Sequence, residues 1–204
     1  KFDEHLFVSK KLYPLAVKGK LSSDQISQYT FQMAKVSAIL QRQVVGKTYR
    51  RVVKVRNKKA DQALEYFGML AVLDKSKSDE YRYLQAETAF ALYRYNRAYE
   101  HYKDTYEYTS KNRVSSPFRL KSLDAMILTL GKFKTPSVKE NIYVFEEYLK
   151  IYPRGKKSKD AYVRLFNNYK AKKDYKSASL VLDRFVKNYP NDPVQEGMIA
   201  DLME

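Results

Sequence analysis

The chain has 204 residues, a formal net charge of +16, and neither cysteine nor tryptophan. The lack of cysteine excludes a disulfide framework and a thiolate metal site, and no apolar stretch reaches the roughly 18 residues that a membrane-spanning helix requires. Glycine and proline are scarce, at six residues each, and abundant Leu, Ala, Lys and Glu favour an α-helical domain.

The first two predicted elements are amphipathic helices. Residues Phe2–Val17 form one of them, and Pro14 is expected to kink or break it because proline lacks a backbone donor. Ser22 and Gln25 have the spacing of a capping box, which predicts the start of the second helix. Apolar residues then recur at spacings of three and four, which places them on one helical face: Ile26, Tyr29, Met33, Val36, Leu40 and Val44.

The next segment, Lys47–Lys59, concentrates positive charge. Residues 1–60 hold 14 Lys and Arg against three acidic residues, whereas residues 61–204 hold 25 against 20. Such a segment can neutralise phosphates, so it is a candidate site for nucleic acid or another anionic polymer. The alternatives are a solvated helix face, pairing with an acidic region elsewhere, and a weaker attachment to a membrane surface. The candidate anionic-partner residues are Lys47, Arg50, Arg51, Lys54, Arg56, Lys58 and Lys59.

A tyrosine-rich helix pair is predicted between Tyr81 and Thr109, with Ser78 as a cap before it. Farther along, a capping residue followed by proline occurs at residues 116–117, 135–136 and 192–193, and each such pair predicts a helix start. Gly131 is expected to end the first of these helices near Leu130, and the second runs to Ile151. Within the predicted helix pair at 81–109, four tyrosines form one stripe: Tyr95, Tyr99, Tyr102 and Tyr106.

Residues 160–191 form the clearest pattern in the chain, a helix–turn–helix. The first helix has large apolar residues on one face, at Tyr162, Leu165, Phe166 and Tyr169. The second has Ala178, Leu182, Phe185 and Val186 on one face. It ends at Tyr189, because Pro190 cannot continue a helix. The small Ala178 is expected at the helix crossing, where two axes about 8–10 Å apart need a short side chain.

This unit resembles a tetratricopeptide repeat (TPR). Counting back from Pro190, the residues that match the pattern are Tyr162, Leu165, Tyr169, Tyr175, Ala178 and Leu182, whereas Phe166 and Phe185 stand where small residues are usual. Its ending repeats at an offset of 37, since residues 145–153 (FEEYLKIYP) match residues 182–190 (LDRFVKNYP). Self-similarity near a period of about 34 residues is typical of helical solenoids. The repeated ending resembles TPR proteins of the bacterial cell envelope, of the outer-membrane-assembly lipoprotein and Tol–Pal-associated type.

The resemblance implies an all-α fold: a right-handed helical solenoid of TPR-like helix–turn–helix repeats with an N-terminal helical region. Because the chain begins at Lys1 without methionine and ends inside a predicted helix, we expect it to be a piece of a longer protein. The expected domains are a basic helical region at 1–75 and TPR-like repeats at 76–204, approximately 79–112, 116–153 and 158–190, with a truncated helix at 193–204.

The resemblance also predicts where a partner would bind, because the first helices of TPR units line a concave groove. On the unit at 158–190 the first-helix residues outside the core are Asp160, Val163, Arg164, Asn167 and Lys170. Arg164 and Lys170 would favour an acidic or carboxylate-bearing protein or peptide; the alternative is a merely soluble polar face. The tyrosine stripe would lie on a second helix, where packing in the core or on the convex face is expected.

No enzyme signature is present. His5 and His101 are far apart and lack metal-ligand spacing, and no phosphate-binding glycine loop or nucleophile elbow occurs. Glu146 and Glu147 are interpreted as solvated ion-pair residues, and His101 as a surface or boundary residue. We therefore expect no catalysis, cofactor or metal, and predict a protein–protein scaffold or adaptor in the bacterial periplasm or cell envelope. The alternatives are an anionic-polymer binder, a cytoplasmic protein, and a non-catalytic domain of a larger enzyme; the oligomeric state is not predicted.

Overall fold

The computed structural model describes residues 2–44, 53–135 and 137–203. Within these ranges the secondary structure is helical, with no β-strand. The part of the chain that is described contains no helix long and apolar enough to cross a bilayer. The α-helices are α1 Phe2–Val17, α2 Ser23–Val44, α3 Val53–Leu73, α4 Ser78–Ala91, α5 Tyr95–Asn112, α6 Pro117–Leu130, α7 Val138–Ile151, α8 Ser158–Ala171, α9 Tyr175–Asn188 and α10 Val194–Met203.

The helix starts follow local capping chemistry. The predicted capping box forms, because Ser22 Oγ accepts from the Gln25 amide at 3.2 Å and Gln25 Oε1 accepts from the Ser22 amide at 2.9 Å. At α7 the predicted start signal was misplaced. Ser137, rather than Thr135, is the N-cap, and its hydroxyl accepts from the Glu140 amide at 3.5 Å.

The predicted break in α1 does not occur. The helix continues through Pro14 to Val17, and the Pro14 carbonyl accepts from the Lys18 amide at 3.1 Å. Proline removes one helical donor but leaves its own carbonyl available to the following turn, so a helix can extend beyond it when packing supports both sides. Ala16, two residues later, is buried in the core.

Residues 1–125 form one compact unit. In it α2 packs against α3, α3 against α4 and α4 against α5, while α1 packs on α2 and α3. Each helix therefore contacts its neighbour in sequence, which is the arrangement of a helical repeat. Met33, Leu40, Tyr66 and Leu70 are completely buried between these helices.

The tyrosine stripe of α5 packs inside this unit, as predicted. Tyr99, Tyr102 and Tyr106 are 1–3 % exposed, and Tyr95 is half-buried. The Tyr102 hydroxyl donates to Glu87 Oε1 of α4 at 2.5 Å, and burial raises the pKa of that hydroxyl. The stripe is therefore not available as a set of partner anchors.

Residues 126–204 form the second compact unit. Here α7 packs on α8, α8 on α9 and α9 on α10. Its core includes Leu165, Phe166, Ala178 and Phe185, all 0 % exposed, so Ala178 is buried as predicted for a helix crossing. The bulky Phe166 and Phe185 fill space between helices rather than projecting into solvent.

The all-α fold class is thus confirmed, and both units show the sequential helix packing of TPR-like repeats. The right-handed sense of the solenoid remains a prediction, as do the domain limits 1–75 and 76–204. Within the first unit, α4 packs directly on α3, which joins the predicted first repeat to the N-terminal helices.

Candidate functional site

The predicted groove residues lie together on one face of α8. Helical geometry places positions 160, 163, 164, 167 and 170 within about a third of the helix circumference. The opposite side of α8 carries Tyr162 and Leu165, which are 1 % and 0 % exposed in the core. We call the outward set the α8 face: Asp160, Val163, Arg164, Asn167 and Lys170.

Three residues of the α8 face are open to solvent. Asp160, Arg164 and Asn167 are exposed, and Val163 beside them is half-buried. Arg164 Nε donates to Asp160 Oδ2 at 2.8 Å, one turn earlier in the helix. Since both side chains are more than half exposed, the pair is worth little energetically and can exchange partners. A guanidinium has five N–H donors, so Arg164 can still meet an incoming carboxylate with its terminal nitrogens.

Lys170 is less available than the sequence suggests. Its Nζ lies 3.5 Å from Asp201 Oδ1 of α10 and 5.9 Å from the centre of the Phe166 ring, and its side chain is only 26 % exposed. Together with the Asp160–Arg164 pair, this contact offsets much of the positive charge predicted for the α8 face. The local attraction for an acidic partner therefore depends on Arg164 more than on Lys170.

A half-buried polar network fixes α8 between its neighbours. Glu146 of α7 accepts from the Tyr169 hydroxyl of α8 at 3.1 Å and from Arg184 of α9 at 2.9 Å. Glu146 thus forms an ion pair, as interpreted, but the pair is half-buried rather than solvated, because three helices converge on its carboxylate. Burial, and secondarily the Glu146 charge, raise the pKa of Tyr169 to about 12. Glu147 is equally half-buried and lies 2.6 Å from the exposed Lys150, one turn along the same helix.

The turn from α8 to α9 is set by its own residues. Lys173 adopts a left-handed conformation with φ of 60°. Asp174 then caps α9, since its Oδ1 accepts from the Ser177 amide at 3.1 Å. That hydrogen bond, and with it the Ser177 side chain and nearby lysines, hold the pKa of Asp174 below its usual value. The left-handed Lys173 and the capping Asp174 end α8 and begin α9, so the α8 face ends at this turn.

The predicted anionic-partner patch is only partly described. Lys47, Arg50 and Arg51 lie outside the described residues, and the side chains of Lys54 and Arg56 do as well. Lys58 is exposed and pairs with Asp3 of α1 at 2.7 Å, and Lys59 is half-buried. The patch therefore remains a prediction, with one of its cations already bound to a carboxylate.

The two histidines occupy separate helices. His5 Nδ1 lies 2.6 Å from the Tyr66 hydroxyl. His101 is half-buried, as expected for a boundary residue, and burial lowers its pKa. Among the described residues, no group of three His, Asp or Glu side chains is arranged to hold a metal ion.

Sequence reasoning did not find a cleft of about 350 Å³ between α1 and α2. Polar and apolar side chains line it, including His5, Ser9 and Tyr29. The sequence signal for this cleft is a polar stripe on α2, in which glutamines recur at spacings of three and four: Gln25, Gln28 and Gln32. A stripe of amides alone does not distinguish a cleft wall from an ordinary solvated face.

The comparisons with known proteins agree with the envelope TPR resemblance in the second unit. Residues 129–199 match the model of the YfiO family, described as outer membrane lipoproteins. This confirms the predicted resemblance over that segment, which contains all of α7, α8 and α9. No curated protein matches the chain.

Two crystal structures of nearly identical TPR-like repeats from Podosopora anserina are similar to the chain. Each shares 13 % identity with it, and the TM-scores are 0.39 and 0.36. The first alignment covers 93 % of this chain and 97 % of the other chain, and the second covers 98 % of this chain and 95 % of the other. At these scores the likeness is general, and the fold assignment stands on the helices described above.

Proposed function

We propose that this protein is a protein-binding scaffold of the bacterial cell envelope and that the α8 face contacts its partner. TPR-like repeats and the match to the YfiO family support a role in protein–protein interaction. Helical repeats present extended surfaces on rigid helices, which suits recognition of a peptide or a partner helix. The family's outer-membrane description supports an envelope location.

The observation that carries this proposal is the composition of the open part of the α8 face. Arg164 offers terminal guanidinium donors, and Asn167 offers an amide that can both donate and accept. Half-buried Val163, one helical turn before Asn167, adds an apolar contact on the same face. An acidic side chain or a terminal carboxylate would displace Asp160 from Arg164 and gain charge-assisted hydrogen bonds. The partner is therefore expected to present a carboxylate next to a small apolar group.

Rigid support makes this face suitable for binding. Glu146 ties α8 to α7 and α9, and Lys170 meets Asp201 of α10. A surface that is already ordered loses little conformational entropy on association, which favours affinity. The scaffold itself needs no catalytic group, and we propose that the chain is not an enzyme.

The test is an affinity capture from envelope extracts with the double variant Arg164→Glu, Asn167→Ala. The matched control is Lys176→Glu, Ser179→Ala, which makes the same kinds of change on the exposed side of α9. A glutamate in the first turn of α9 is compatible with the helix dipole, so the control should fold normally. Circular dichroism verifies the helix content of both variants.

A discrete protein, identified by mass spectrometry, should be captured by the wild type and the control and lost by the α8 variant. Losing one charged hydrogen-bonding group of an interface costs about 2–5 kcal/mol, or at least a 30-fold drop in affinity. If both variants keep the partner equally, the α8 face is not the binding surface. If only nucleic acid is captured, and nuclease removes it, the function lies with the basic segment instead.

A further inference from the structure

A second surface, on the first helix of the chain, has a composition different from the α8 face. On α1, Phe7, Val8 and Leu15 are exposed by 59 %, 52 % and 39 %. Phe7 and Leu15 lie on the side away from Leu6 and Ala16, which are 8 % and 6 % exposed in the core. Val8 lies at the edge of that side and lines the cleft between α1 and α2. Bulky side chains of this kind cost free energy in water, so Phe7 and Leu15 on one helix side indicate a contact surface. We call this side the outer face of α1.

Lysines alternate with these apolar residues. Lys11 follows Phe7 by one turn, Leu15 follows Lys11, and Lys18 comes just after α1 ends. The Lys11 ammonium lies 4.4 Å from the centre of the Phe7 ring. Lys11, Lys18 and Lys20 are exposed, and none has an ion-pair partner among the described residues. The outer face is therefore both apolar and cationic.

The acidic residues of α1 lie in its first turn. Asp3 is occupied, because Lys58 lies 2.7 Å away and Gln62 also donates to it. Glu4 is the one acidic side chain on the outer face, one turn before Val8. Beyond that turn the charged side chains of α1 are those of Lys10, which pairs with Glu65 of α3, and Lys11.

We propose that the outer face of α1 docks on an anionic lipid bilayer. An amphipathic helix of this kind lies in the interface, with its apolar residues inserted and its lysines among the headgroups. At 16 residues α1 is too short and too charged to span a bilayer, so it would lie flat on the surface.

The alternation of residues favours a lipid surface over a protein groove. A helix that enters a protein groove presents continuous apolar anchors at positions i, i+4 and i+7. Here the position one turn after Phe7 is Lys11, and a protein groove would bury that ammonium without a partner, which is costly. At a bilayer a lysine can extend its aliphatic stem along the apolar layer and keep its charge in the headgroup region.

The experiment is co-sedimentation of the purified chain with phosphatidylcholine vesicles that contain or lack phosphatidylglycerol. Two double variants probe the outer face: Phe7→Ser with Leu15→Ser, and Lys11→Gln with Lys18→Gln. Matched controls change exposed residues of α9, namely Leu180→Ser with Val186→Ser, and Lys176→Gln with Lys187→Gln. All four positions of the α1 variants are exposed, and circular dichroism verifies that helix content is kept.

The wild type should bind vesicles that contain phosphatidylglycerol and release them at high salt. Each lysine removed should weaken binding about fivefold, since one cation near an anionic surface contributes about 1 kcal/mol. The lysine variant should thus bind about 25-fold more weakly, and the Phe7–Leu15 variant should lose at least tenfold, while the controls bind like the wild type.

Several results would overturn the proposal. One is the absence of binding to anionic vesicles, and another is equal binding to vesicles without phosphatidylglycerol. A third is an equal loss in the α9 lysine control, which would assign binding to net charge alone. If the Phe7–Leu15 variant keeps vesicle binding but dissociates an oligomer in analytical ultracentrifugation, the outer face of α1 contacts another copy of the chain instead.

Discussion

Phe185 is the side chain whose removal should most clearly loosen the unit formed by residues 126–204. It is 0 % exposed in α9 and contacts two tyrosine rings. The Tyr162 ring lies 5.7 Å away in an edge-on arrangement and the Tyr189 ring 5.3 Å away. Phe185→Ala removes this contact area and leaves a cavity that neighbouring helices can fill only in part.

The expected cost follows from the burial. Full burial of such a side chain contributes about 1.5–3 kcal/mol from transfer alone. Each aromatic pair adds about 0.5–1.5 kcal/mol, and the cavity adds a further penalty. The sum agrees with the range of about 3–5 kcal/mol that buried Phe→Ala substitutions cost. Val186→Ala is the control. Val186 follows Phe185 in α9 but is 37 % exposed, so its replacement should cost no more than about 1 kcal/mol.

Native-state hydrogen exchange is the suitable assay because it resolves individual helices. The slowest amides of α8 and α9 should exchange roughly two to four orders of magnitude faster in Phe185→Ala, and at most about fivefold faster in Val186→Ala. If the two variants lower protection equally, Phe185 does not hold the helices together and the packing argument is wrong.

Three further outcomes are expected. Asp79→Ala should lower the free energy of unfolding by about 2 kcal/mol in urea titrations, because the nearly buried carboxylate pairs with Arg113 at 3.2 Å; a loss below about 0.5 kcal/mol would contradict this. Burial raises the pKa of Tyr81 from 10.0 to about 12, so its neutral form contributes stability that is complete below pH 10 and lost as the pH rises to 12. In that window the unfolding free energy of Tyr81→Phe should fall less steeply with pH than that of the wild type; equal slopes would refute it. Asp174→Ala should cost α9 about 1 kcal/mol, and Asp174→Asn much less, as seen by hydrogen exchange; equal effects would show that the cap is not responsible.

The sequence by itself determined the helices and much of the core. Local signals such as the capping box at Ser22 act over three residues, and the structure contains both of its hydrogen bonds. Apolar spacing of three and four placed Leu165 and Phe185 inside, because a helix buries the face on which such residues recur. The resemblance to envelope TPR proteins could also be predicted from the sequence, since the repeated ending at Pro153 and Pro190 is a local pattern.

Only the tertiary structure decided which charged side chains pair with residues distant in sequence. Glu146 looked like a solvated carboxylate in the sequence, yet side chains 23 and 38 residues away donate to it. Lys170 looked available, and Asp201 of another helix pairs with it. Periodicity tells which face of a helix is polar, but the partner of a polar group depends on helices that are distant in sequence. The sequence therefore located the α8 face, and the packing of neighbouring helices left Asp160, Arg164 and Asn167 as its open residues.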